Sequence, residues 1–131
     1  MSSVRVVLPD WRAVFSSLEA WARGLVRDDP AVLGVLLYGS LARGDYAPGS
    51  DADLLVVLHE SPQQPAERSG LLAPLRLPIC YDVVVYTEEE LTRLLARSLP
   101  FLRRVLSEGR WLSRRVGWEA PLLDHGQAGA V

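Results

Sequence analysis

The sequence predicts an α/β (α+β) fold, a small mixed β-sheet with helices packed mainly on one face. Three observations predict it. Apolar residues recur at three- and four-residue spacing over 11–27. Three short apolar runs, Val32–Tyr38, Asp51–Leu58 and Ile79–Tyr86, have strand length and β-branched content. Two further helix starts follow the last of these runs, at Thr87 and at Leu99-Pro100.

Val4–Leu8 is a short apolar lead-in. Asp10 is a helix N-cap, and Trp11, Val14, Phe15, Leu18, Ala22, Leu25 and Val26 form one apolar stripe, with Trp21 at its edge. Asp28-Asp29-Pro30 ends that helix near Arg27. Val32–Tyr38 reads as a buried strand broken only by Gly34. Gly39-Ser40 turns the chain, Leu41–Gly44 fits one helical turn, and Asp45–Ser50 is a loop into the strand Asp51–Leu58. Glu60–Gly70, with Pro62, Pro65 and Gly70, reads as a loop, and Pro74 interrupts any helix over Leu71–Leu77. Ile79–Tyr86 is the third strand. Thr87 and Glu90 make a capping box for a helix to about Ser98. Pro100 opens a helix that Gly109 stops, and Arg110–Val116 is a short last strand. One domain over 1–123 and a frayed tail over 124–131 complete the reading.

The 131 residues suffice for one core. The apolar fraction of 49% and charged fraction of 23% are those of an ordinary globular chain. A net charge of -2 argues against a nucleic-acid partner. All basic residues are arginines, so lysine-based phosphate loops and Schiff bases are excluded. A phosphate clamp must use Arg, which suits bidentate oxyanion contacts. The single cysteine, Cys80, lies in an apolar run and reads as a buried structural thiol. There is no signal-peptide pattern and no apolar run of membrane-spanning length, so a cytoplasmic location without membrane contact is expected.

The stretch from Leu37 to Leu58 carries the chemistry. A strand-ending Gly39-Ser40 turn can set backbone N–H groups against phosphate. Asp51 and Asp53, two apart on a strand, point the same way. Paired carboxylates are a seat for Mg²⁺, a hard cation that prefers oxygen. Asp82 is an acid within the third apolar run. One reading gives it a salt bridge to an arginine or a place at the strand's exposed end. The other pairs its strand with Asp51–Leu58 and sets Asp82 opposite Asp51 and Asp53. Three crowded carboxylates raise each other's pKa values unless a divalent ion neutralises them. A bare D-x-D also fits an Asx turn, and a bare Gly-Ser fits any strand end. His59 reads as a strand-end histidine and His125 as part of the tail. Arg103, Arg104, Arg110, Arg114 and Arg115 form a basic group that is either a solvated face or a contact surface. Trp111 reads as core, with Trp118, Leu112 and Val116 as an alternative surface for a partner.

The order Gly39-Ser40, ten residues, Asp51-x-Asp53, then Asp82 in an apolar strand resembles the DNA polymerase β-like nucleotidyltransferase superfamily. The local form GSLARGDYAPGSDADLLVVL most resembles the minimal nucleotidyltransferases found beside HEPN-domain partners. The resemblance implies a nucleotidyltransferase fold and a nucleoside triphosphate donor, ATP by family analogy. It implies that Gly39 and Ser40 hold the triphosphate, that Asp51 and Asp53 bind two Mg²⁺ ions, and that Asp82 completes the metal site and takes the acceptor proton. Arg43 either contacts phosphate or locks the loop to an acid. The implied activity is transfer of AMP to an acceptor hydroxyl, on a HEPN-type toxin in an antitoxin role. Two other readings remain: a non-catalytic antitoxin that masks its partner, and transfer to a small molecule such as an aminoglycoside. In the latter a homodimer could supply the acceptor pocket.

Overall fold

The computed structural model describes residues 8–120. The lead-in over 4–7, the tail over 124–131 with His125, and the expected domain limit at 123 lie outside the described residues.

Helix α1 spans Trp11–Asp28, and the Asp10 carboxylate accepts the Ala13 N–H at 3.2 Å as its N-cap. Strand β1 is Val32–Tyr38, α2 is the single turn Ser40–Arg43, and β2 is Ala52–Leu58. After a short α3, Pro65–Arg68, and a 3₁₀ turn, Ser69–Leu71, the chain enters β3, Tyr81–Thr87. Helices α4, Glu88–Ala96, and α5, Pro100–Glu108, lead to β4, Arg110–Arg114. The sheet order is β3-β2-β1-β4. β1 runs antiparallel to both β2 and β4, and β2 runs parallel to β3.

The α/β class and the mixed sheet are as expected, but the helices are not gathered mainly on one face. α1 packs with Val32, Val35, Leu37, Leu54 and Val56 on one side of the sheet. α4 and α5 pack with Leu33, Leu36, Leu55 and Val57 on the other. The reason is in β1 and β2 themselves. Both are apolar at nearly every position, so neither face tolerates water.

Three local readings also change. The Pro-rich stretch is not all loop: Pro65 stands at the first position of α3, where its missing N–H is no loss. Cys80 is exposed rather than buried, because it precedes β3 at the edge of the sheet. Arg115 is not part of a free basic face. Its guanidinium donates to the carbonyls of Val26, Asp29 and Val32, closing the C-terminal end of α1. Arg103, Arg104, Arg110 and Arg114 are exposed. Trp111 and Trp118 are partly buried against the α4–α5 core, while Val116 is fully exposed.

Candidate active site

Strand alternation and register build the site. β1 ends at Tyr38, β2 begins at Ala52, and β3 begins at Tyr81, so three strand ends meet at one end of the sheet. Tyr38 pairs with Asp53, and Asp53 pairs with Asp82. These three residues form a row across the sheet on the face that α5 covers, as Leu36, Leu55 and Val84 do one step further in.

Asp82 is not mid-strand in a buried run. β3 is an edge strand whose first two residues are exposed, so the acid stands in solvent at the strand's start. Asp51 precedes β2 and is exposed. Asp53 alone is partly covered. Burial raises its carboxyl pKa, the charges of Asp82 and Asp51 raise it further, and Arg43 opposes them. The same surroundings act on Tyr38. Burial, then the charges of Asp53 and Asp82, push its phenol up to about 12, so it stays neutral.

Gly39 follows Tyr38 with φ +78° and ψ −159°, a conformation reserved for glycine. A Cβ there would lie 2.4 Å from the Asp53 Oδ2. The turn therefore brings backbone directly against the acid, and no other residue type permits that approach. Ser40 opens α2, whose first N–H groups have no intrahelical partner.

Arg43 is engaged on both sides. Its Nε donates to Asp45 at 3.1 Å, and its Nη1 donates to Glu108 at 2.8 Å. It ties the loop after α2 to the end of α5. A phosphate contact from Arg43 would have to compete with these two carboxylates. His59 sits at the far end of β2, exposed, with Nδ1 3.9 Å from Glu88.

The donors of Asp51, Asp53 and Asp82 are hard oxygens, which suits Mg²⁺ and not a thiophilic metal. Among the described residues, no three acidic, histidine or cysteine side chains are gathered closely enough to cage an ion. The crowded three-carboxylate cluster expected from sequence is thus a looser group, because Asp51 lies outside the strand. Mg²⁺ characteristically binds through one or two carboxylates plus substrate phosphates. The Asp53–Asp82 pair beside the Gly39 turn fits that mode.

Two contributors have no signal at the motif level. Tyr38 could have been found by extending period-2 alternation back from the turn. Glu108 has no such trace, since its partner Arg43 is 65 residues away.

Comparison with known proteins gives the family of the chain and the likeness of its fold. The model of the nucleotidyltransferase domain family matches residues 19–112, and the chain belongs to that family. A curated relative, "Putative protein adenylyltransferase MJ0141" of Methanocaldococcus jannaschii, is 35% identical over 51 residues. That match takes in 39% of this chain and 52% of the relative, so the chain spans about half the length of the curated relative it matches. The crystal structure of a "putative nucleotidyltransferase" from Sulfolobus solfataricus shares the fold with a TM-score of 0.56. It is 20% identical, over 79% of this chain and 83% of that one. A toxin–antitoxin crystal structure with AMP-PNP is a looser likeness, with a TM-score of 0.46 and 21% identity, over 76% of this chain and 74% of that one.

Proposed function

We propose that the chain is a Mg²⁺-dependent nucleotidyltransferase that moves AMP from ATP to an acceptor hydroxyl. The observation that carries this reading is the pairing of Asp53 with Asp82 beside the Gly39 turn. The family membership supports it.

In this reading the N–H groups at the start of α2 and the Ser40 hydroxyl hold the triphosphate. Asp51 and Asp53, together with phosphate oxygens, would hold two Mg²⁺ ions, and Asp82 would share the one nearer the acceptor. The metal supplies positive charge for the phosphates and makes the acceptor hydroxyl easier to ionise. Asp82, exposed at the strand's start, is open to an acceptor and takes its proton. The acceptor oxygen bonds to the α-phosphorus as the bond to the β-phosphate oxygen breaks, and pyrophosphate leaves. Arg43 acts by holding the loop in place through Asp45 and Glu108.

The acceptor we assign is a hydroxyl on a HEPN-type protein partner, with this chain as its antitoxin. The sequence likeness to the minimal nucleotidyltransferases supports that assignment. A cytoplasmic setting accords with a single exposed thiol, Cys80. Among the described residues, no helix is long and apolar enough to cross a membrane.

Incubation with α-labelled ATP, Mg²⁺ and the candidate partner tests the proposal. Label is expected on the partner and is expected to vanish with Asp51→Ala or Asp53→Ala. Full neutralisation of the partner by those variants, without label, would show masking instead of transfer. Pyrophosphate release on hydroxylated small molecules alone would move the acceptor to that class.

A further inference from the structure

Phe101 is an aromatic side chain that the core does not absorb. It is the second residue of α5 and is 49% exposed. Its ring and that of Tyr38 stand perpendicular, with centroids 5.8 Å apart and planes at 85°. Tyr38 is the strand partner of Asp53, so the exposed ring borders the acidic row. Leu99, just before α5, is also exposed. The cleft beneath the Phe101 ring, lined by Tyr38, Leu55, Val84 and Val105, is too narrow for a water molecule. A ligand can therefore reach the ring only on its solvent-exposed side.

We infer that the outer face of Phe101 is the stacking platform for the nucleobase of the bound nucleotide. The inference rests on the nucleotidyl-transfer reading above and adds the base subsite to it. A nucleotide held by its phosphates at the Gly39-Ser40 turn needs a second hold to fix the α-phosphorus in line. A flat apolar ring beside the carboxylates provides one. Stacking on a single aromatic face is tolerant of base identity, because every base has a π-face. Purines, with the larger ring area, are the better fit.

Calorimetric titration of the full chain with Mg²⁺-ATP and with Mg²⁺-tripolyphosphate tests this. Phe101→Leu keeps an apolar side chain against Tyr38, and Phe101→Ala removes it. Both are expected to weaken ATP about tenfold and to leave tripolyphosphate unchanged. Phe101→Trp is expected to retain ATP. Unchanged ATP affinity in the Leu and Ala variants would overturn the inference. Equal loss of both ligands would also overturn it, since the ring would then be shaping the phosphate site. Wild-type protein that binds neither ligand would defeat the phosphate-turn reading itself. Wild-type protein that binds both equally well would defeat only the base platform.

Discussion

Asp53 occupies a position that is unfavourable to its own charge. Burial and two neighbouring acids raise its pKa above the ordinary value of 3.8. A raised carboxyl pKa means that the folded chain prefers the neutral form. Stability is therefore gained as pH falls through the folded-state pKa, and the ionised group is a liability above it. Asp53→Asn is expected to raise the melting temperature at pH 7 in metal-free buffer. The advantage should shrink as pH falls toward 3.8, where the native acid is itself protonated. The same variant should lose transfer activity by at least about a hundredfold, the scale of losing one preorganised electrostatic contact. Thermal melts at pH 7 and pH 3, with label transfer alongside, check both halves. An Asn variant that melts lower than wild type at pH 7 would show that the carboxylate is held by attractions other than those described. Gly39 belongs to the same balance. Its lack of a Cβ is what lets the turn close on the Asp53 carboxylate.

At the scale of elements, α4 is fixed to the sheet by its first turn. The Thr87 hydroxyl accepts the Glu90 N–H at 3.2 Å, and the Glu90 carboxylate accepts the Thr87 N–H at 2.7 Å. The same carboxylate meets Arg68, which is only 5% exposed, at 2.5 Å. Arg68 also donates to the carbonyl of Val85, on the edge strand β3. One acid thus caps a helix and neutralises a buried cation that covers a sheet edge. Glu90→Ala is expected to destabilise the fold by about 3 kcal/mol, the lower end for stripping a partner from a buried charge. The pKa of Glu90 is lowered from 4.5, with the Arg68 hydrogen bond as the largest cause. Its contribution is therefore present above pH 4.5 and is lost as pH falls through the folded-state value. Urea melts of the two proteins should differ at pH 7 and converge near pH 3. A gap unchanged across that range would place the loss in packing, not in charge. The capping box was legible because Thr87 and Glu90 are three residues apart. The Arg68 link was not, because nothing in a Pro-rich stretch marks one arginine as buried against a helix 22 residues on.

Across the whole molecule, what the sequence reveals is what depends on short spacing. The strands, the Gly39 turn and Asp53 on β2 follow from period-2 alternation and turn chemistry. The pairing of the third strand with the second is one of the two readings of Asp82 and is found, but nothing in short spacing marks that strand as the sheet's edge, which sets Asp82 in solvent, or places helices on both faces. Gly34 shows the consequence. In sequence it is a flaw in an apolar strand. In the fold it lies on β1 opposite Arg114 of β4, where a Cβ would come within 2.8 Å of ring carbons of both Trp111 and Trp118. The two indoles meet edge to face, 5.4 Å apart, against the α4–α5 core. The Trp118 N–H donates to Glu88 at 3.3 Å, so the pair joins β4 to the start of α4. The glycine is therefore the space that lets the last strand and the tryptophan after it seat on the sheet. Gly34→Ala gains strand propensity yet must displace two large rings in a packed region. Overpacking of this kind typically costs about 1–3 kcal/mol, more than the Gly-to-Ala preference of about 1 kcal/mol returns. A lower urea midpoint and an altered near-ultraviolet circular dichroism of the tryptophans are expected together. Gly34→Ala that matched wild type in stability, with the tryptophan signal intact, would mean that the rings yield without loss and that the close approach is not what selects glycine.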